Sequence, residues 1–351
     1  MKLVLSEEQR QLQESVRSFL RAASPLPKAR QGYDPQVYAR LNGELGLSGL
    51  IVPEEYGGAG AGLAELAVAL EETGAALLPG PFLATAFAAI ALAATPDKEL
   101  LSGIAEGRLA ATLGLPADDE ISCDGASASG TLPQVLSGME ADVLVTPAST
   151  PASTPASSDG EQVVIAVELT GAGVTRTALD TLDLTRGQAR VTLDGAPCKV
   201  LGPRPASGVT ERVCVALAAE QLGVMRAALD AIVAYAKIRV AFGRFIGSYQ
   251  GVKHKLADMH GKLEQAESIV RYAAWAADEA PDELPEAAAL AQAFVGRACF
   301  EVARDHLLLH GGIGYTWEHD AHLFYKRAKA DEVLLGPPRI HRARLAELLE
   351  L

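Results

Sequence analysis

The chain has 351 residues, a formal charge of −13, and 49% hydrophobic but only 5% aromatic residues. That length suits two or three packed units, with cores built from Ala, Leu and Val, which favour helices. The negative balance speaks against a nucleic-acid partner, whose phosphates need lysine and arginine, although a local basic patch can still hold an anion.

The opening MKLVLSEEQRQL reaches charges before any apolar run of signal-peptide length. Ser6 followed by Gln9 reads as a capping box that starts a helix with Leu12, Val16, Phe19 and Leu20 on one face. A second helix is expected through VYARLNGELGLSGL, stopped by Pro53, before a glycine-rich loop at Gly57, Gly58, Gly60 and Gly62. AELAVALEETGAALL predicts a third helix, ended by Pro79, Gly80 and Pro81. Another helical stretch then runs to about residue 108. The run PGPFLATAFAAIALAATP is near the lower length for a membrane span. Its small residues and flanking prolines read better as a buried helix, so no membrane partner is expected.

At Gly114-Leu115-Pro116 the texture changes. Short runs (DVLVT, EQVVIAVEL, GVTRT, QARVTLDG) separated by turn residues predict a small antiparallel sheet domain up to about residue 204. Within it, residues 147–158 are a low-complexity tract, expected as a mobile surface loop without chemistry. Helices return after Pro203. Leu222, Met225, Leu229 and Ile232 mark one apolar face, and Val252, Leu256, Met259 and Leu263 another. With two further helices over 286–310 and 320–349, these form a four-helix bundle. The fold class is therefore mainly α with a small β-domain, divided as 1–113, 114–204 and 205–351. The four cysteines, Cys123, Cys198, Cys214 and Cys299, show no paired spacing and read as reduced thiols of a cytoplasmic protein.

The most specific stretch is YAKIRVAFGRFIGSYQGVKHKLADMH, residues 235–260. Arg239, Phe242, Gly243, Ile246, Gly247 and Gln250 form the pattern R-x-x-F-G-x-x-I-G-x-x-Q between two helices. Arginine offers a forked cation for phosphate, phenylalanine a stacking face, and glutamine an amide that donates and accepts. Such a corner suits a ligand with phosphates and a flat heterocycle. The pattern resembles the flavin-binding corner of the acyl-CoA dehydrogenase family, and the order of helices, small sheet and four-helix bundle is similar to that fold over nearly the whole chain.

The resemblance implies that Arg239, Phe242, Ile246, Tyr249 and Gln250 touch the pyrophosphate and adenosine side of an FAD held by a neighbouring subunit, with Gly312 at its adenine end. It also implies an acyl-CoA substrate, an α,β-desaturation and an electron-transfer flavoprotein as acceptor. The family's glutamate base occupies one of two places. The first aligns with Leu335, followed by Gly336, Pro337 and Pro338, where relatives carry glutamate-glycine-threonine. The second aligns with Val213 at the start of the helix preceding the corner. Both are aliphatic here. Glu211 lies two residues earlier, about 200° around the helix, and Glu220 seven residues later, roughly 10 Å along it. These two are the weak catalytic candidates, Glu220 reading more plainly as a buried partner of bundle cations. The family's threonine-glutamate-proline run and tryptophan-threonine pair are missing from the middle domain, where AATLGLPADDEIS stands. Trp275 and Trp317 both lie outside it.

A chain keeping the trans-acting part of a flavin site without base or ring-packing surface resembles the short, base-less subunit of bacterial heterotetrameric acyl-CoA dehydrogenases of the steroid side-chain type. Its partner would be a longer catalytic subunit in an α2β2 assembly. Two alternatives stay open: a self-sufficient homotetramer with a relocated glutamate, and a non-catalytic scaffold. His306 and His310 stand at metal-ligand spacing without a third ligand and read as satisfied helix histidines, so no metal is expected. In WEHDAH, which supplies Glu318, His319, Asp320 and His322, Asp320 is expected to cap the next helix.

Overall fold

The structure is a computed structural model, described here for residues 3–115, 121–150 and 161–351. Six helices come first: α1 (Glu7–Ala23), α2 (Leu26–Ala29), α3 (Pro35–Leu45), α4 (Leu63–Ala75), α5 (Phe82–Ala94) and α6 (Lys98–Ala105). The Ser6–Gln9 capping box forms in both directions, at 3.2 and 3.0 Å, and Val16, Phe19 and Leu20 are buried. The second helix stops earlier than expected. Gly46 takes a left-handed φ of 63° after Leu45, so the chain leaves the helix well before Pro53. The Ala-rich α5 is buried along Phe82–Leu92. Among the described residues no helix is long and apolar enough to cross a membrane.

Strands β1 (Ala111–Leu113), β2 (Ile121–Cys123), β3 (Ser127–Leu136), β4 (Val143–Ser149), β5 (Gln162–Glu168), β6 (Val174–Ala178) and β7 (Gln188–Pro203) follow. They pair in the order β1-β4-β2-β3-β7-β5, with β6 on β7, and β5 also pairs with β4, so the sheet closes on itself. Two features depart from the sequence reading. The sheet is mixed, because β1 runs parallel to β4 and β2 meets β4 in parallel at Ser122 and Ser149. Pro147 to Ser149, read as loop, lie in β4 opposite Val164 to Gln162. Backbone pairing there overrides the low-complexity composition. The rest of that tract, from 151, lies outside the described residues.

Alternation along β4 and β5 decides which face meets what. Leu144, Val163, Ile165 and Val167 fill the sheet's own core, whereas Val143, Val145, Val164 and Ala166 join the main helical core. The sheet is thereby fastened to the helices through every second residue.

The bundle consists of α7 (Val209–Ile238), α8 (Gln250–Glu279), α9 (Leu284–His310), α10 (Ala321–Leu334) and α11 (Pro338–Leu348). Its expected fourth helix is broken in two, because Gly336 adopts φ 96° and Pro337 and Pro338 follow. Helices α4 and α7 cross at glycines. A Cβ on Gly223 would sit 1.8 Å from the Glu71 carbonyl oxygen, and one on Gly74 2.1 Å from that of Glu220. Gly223→Ala should therefore force the helices apart and lower stability by about 1–3 kcal/mol, seen as a lower urea midpoint at unchanged slope. A midpoint equal to the parent's would show that the crossing yields freely.

Candidate functional site

The corner after α7 is built by a tight hairpin. Strands β8 (Val240–Ala241) and β9 (Arg244–Phe245) pair Val240 with Phe245 and Ala241 with Arg244. The two turn residues, Phe242 and Gly243, have φ of 51° and 78°, the left-handed pair that two-residue hairpins require. Phenylalanine adopts that conformation at a cost, and the result is a ring 98% exposed. The Ile246 amide bonds the Arg239 carbonyl at 2.8 Å, closing the corner back onto the end of α7. Gly247 packs so tightly that a Cβ would meet the Ala236 carbonyl oxygen at 2.8 Å. The Tyr249 hydroxyl donates to the Ala241 carbonyl at 2.8 Å, and the Arg244 guanidinium lies 3.8 Å from the Tyr249 ring centroid. Tyr249 thus braces the hairpin from behind.

Among the described residues, neither the Arg239 guanidinium nor the Gln250 amide bonds to another side chain, and both residues are exposed. A forked cation, a bare ring and an amide are presented together. Gly312 lies in the short turn after α9 (Gly311–Tyr315), exposed and with open space around it. That turn belongs to the same end of the bundle, because the Tyr235 ring near the end of α7 lies tilted 4.5 Å from the His310 ring and edge-on 6.4 Å from that of His319. Around these groups Ile238, Val240, Phe245, Leu308, Tyr315 and Trp317 expose apolar surface. Exposed apolar side chains of this size near charged and amide groups suit contact with a ligand or another chain.

The two residues that the sequence reading aligned with the family's base, Val213 and Leu335, cannot take up a proton. Val213 is fully buried in the core, and Leu335 ends α10, half-buried against the same core. Glu220 is held in a buried ionic cluster. Arg186, from the β6–β7 connection, pairs with Glu220 and with Asp331 of α10. Arg327 pairs with Asp183 and reaches Glu220 at 3.4 Å and Thr185 Oγ1 at 2.6 Å. Burial, then the neighbouring Glu220, push the Asp331 carboxyl up to about 7 against the pull of Arg186. The cluster welds the sheet domain to the bundle, which makes Glu220 a structural anion. Only Glu220 of these five was suspected from sequence; the others lie on segments that carry no local signal.

Glu211 has a different setting. It accepts from the Gly208 amide at 2.8 Å, capping α7. It also lines a pocket of about 260 Å³ between α5, the sheet and the start of α7, together with Leu113, Val164, Arg204, Val209 and Thr210. It faces away from buried Val213, in keeping with the helical angle between them.

The histidine readings need amending. Among the described residues no group of three or more His, Cys, Asp or Glu side chains could hold a metal. His310 Nδ1 lies 2.8 Å from the His306 carbonyl oxygen. His306 is not satisfied: neither ring nitrogen has a hydrogen-bond partner among the described residues, and burial pushes it down to about 3. It packs as a neutral ring between His310 and Phe324, 4.6 and 5.4 Å away. Asp320 makes no capping bond to α10. Its carboxylate instead takes the Arg30 guanidinium at 2.6 Å, and His319 Nδ1 accepts the Ala321 amide at 3.0 Å.

Two family domains match this chain: the acyl-CoA dehydrogenase N-terminal domain over residues 6–107 and the C-terminal domain over 209–349. It belongs to the acyl-CoA dehydrogenase family. A relative is the acyl-CoA dehydrogenase IpdE2 of Mycolicibacterium smegmatis, 35% identical over 347 residues, which cover 97% of this chain and 98% of that protein. Among solved structures, the ChsE4–ChsE5 complex from Mycobacterium tuberculosis aligns at 26% identity with a TM-score of 0.90, covering 100% of this chain and 99% of that one. A variant of the Tcur3481–Tcur3483 steroid ACAD aligns at 28% identity and TM-score 0.86, with 98% of each chain covered. The family is one of oxidoreductases that bind FAD.

Proposed function

We propose that this chain is a subunit of a heteromeric, FAD-dependent acyl-CoA dehydrogenase that introduces an α,β double bond into an acyl-CoA thioester. The observation that carries this is the contrast within one chain: an intact, exposed ligand corner beside two base positions that are leucine and valine. Arg239 would hold the pyrophosphate, Phe242 and Gln250 the adenosine side, and Gly312 the adenine end of an FAD seated mainly on the partner. The corner fits that group because its cation, ring and amide all lack partners of their own among the described residues. When bound, FAD supplies the acceptor for the substrate hydride, and an electron-transfer flavoprotein is the expected downstream acceptor. This chain's part is to orient the cofactor and exclude water with its apolar rim. The neighbours above 25% identity include a two-component complex and a steroid ACAD, which favours a longer catalytic chain as partner and a bulky steroid-derived acyl group.

The test is to purify the chain alone and with that longer partner, and to compare visible flavin absorbance. Flavin stoichiometric with the lone chain would refute the subunit reading.

One observation favours a second reading, a self-sufficient enzyme with a relocated base: among the described residues, Glu211 is the one carboxylate lining the pocket beside α5. Glu211→Gln separates the two. On the subunit reading, turnover of the assembled complex stays within a few-fold of the parent. Loss of a general base typically costs ~10²–10⁴ in rate, and a fall of that size at unchanged flavin content would assign the base to Glu211.

A further inference from the structure

Two of the four cysteines meet in the sheet. Cys123 ends β2 and Cys198 lies in β7, 75 positions apart in sequence, with their sulfurs 3.5 Å apart. The approach follows from strand pairing. The Cys198 amide donates to the Ala126 carbonyl at 3.0 Å, which lays β7 beside the turn between β2 and β3. That turn is well fixed: Asp124 accepts from the Ala126 and Ser127 amides at 2.9 and 2.7 Å, and Gly125 takes the φ of 97° that the turn needs. Cys123 is buried and Cys198 half-buried, so Cys198 is the cysteine of the pair nearer to solvent. Cys214 and Cys299 are buried in α7 and α9 and make no sulfur contact with each other among the described residues.

We propose that Cys123 and Cys198 are a redox-active pair that closes to a disulfide by exchange with a low-molecular-weight disulfide. The Cys198 thiolate attacks one sulfur of the oxidant, forming a mixed disulfide and releasing one thiol. Cys123 then attacks the Cys198 sulfur, forming the protein disulfide and releasing the second thiol. The two cysteines are oxidised by two electrons, the oxidant is reduced to two thiols, and the two protons leave on them. A disulfide has S–S of about 2.05 Å, so the sulfurs have to close by roughly 1.5 Å at the edge of β3, the strand that pairs with both β2 and β7. The bond ties the β2–β3 turn to β7 and closes a ring around β3 to β6. Exchange is slow near neutrality and accelerates with pH, because burial and the contact with Cys123 push the Cys198 thiol up to about 12.

The experiment incubates the whole chain with oxidised glutathione, then denatures it, labels free thiols with N-ethylmaleimide and weighs the intact protein. The reduced chain, with four cysteines, takes four labels. The expected oxidised product takes two, with Cys123 and Cys198 linked on peptide mapping. Cys198→Ser should take three labels before and after oxidation, and Cys214→Ser should still form the bond. Four labels after prolonged oxidation at raised pH, a stable glutathione adduct on Cys198, or a link mapping to Cys214 and Cys299 would each overturn the proposal.

Discussion

Arg327→Ala should lower stability by about 3–5 kcal/mol, because it removes one partner of a buried charge pair and leaves the other uncompensated. Arg327 is 0% exposed. It serves Asp183, Glu220 and Thr185, so its loss leaves Asp183 on the sheet connection without its ion-pair partner and Glu220 of α7 with Arg186 alone. Urea unfolding followed by circular dichroism measures the loss, and a change below about 1 kcal/mol would contradict the account. The same cluster sets a pH dependence. Arg186 and Arg327 face the carboxyls of Asp183, Glu220 and Asp331, with the Cys299 thiol buried alongside. The Asp331 carboxyl is raised to about 7, far above its value of about 4 in an unfolded chain, so between these values the folded state holds a proton that the unfolded state releases. Its contribution to stability is fully present below pH ~4 and is lost as pH rises through about 7. Asp183 acts in the opposite sense: its pKa is lowered against burial by Arg327 and Arg186, so its contribution is lost as pH falls. Asp331→Asn should remove the loss between pH 4 and 7 while leaving the acid limb in place.

Arg239→Ala should weaken FAD retention by the assembled complex roughly ten- to hundredfold. The warrant is the loss of one charged hydrogen-bonding partner of a phosphate, worth ~1.5–3 kcal/mol. Since Arg239 is exposed and makes no ion pair among the described residues, its removal should leave the folding midpoint within about 0.5 kcal/mol of the parent. The two readouts separate a ligand contact from a structural role. Arg239→Lys should recover only part of the affinity, because an ammonium cannot present the planar fork. Titration of apo-complex with FAD, followed by flavin fluorescence, gives the dissociation constants. Equal affinity for parent and Arg239→Ala would remove the corner from the cofactor site.

Much of this was legible in the residues. The Ser6–Gln9 box, the apolar stripes of α1 and α7 and the buried α5 depend on spacings within a few turns, where propensity and periodicity act directly. The corner was legible for the same reason, as its pattern lies within one helix-turn-helix and its hairpin needs only Phe242 and Gly243 in left-handed backbone. That Leu335 and Val213, the residues aligned with the family's base, are aliphatic was equally plain, being a matter of residue type. What local chemistry suggested wrongly were ends and partners. Gly46 stopped a helix ahead of Pro53, strand pairing drew Pro147 to Ser149 into β4, and Asp320 turned from its helix to Arg30.

Read alone, then, the chain determined its family, its three-part order and the local build of its exposed corner. Tertiary structure alone decided the rest. Arg186 meets Asp331 across 145 positions and Cys123 meets Cys198 across 75. No periodicity links residues that far apart. Their meeting depends on how the closed sheet docks on α7 and α10, and that docking is set by many apolar contacts acting together, from Val143 in β4 to Ala328 in α10.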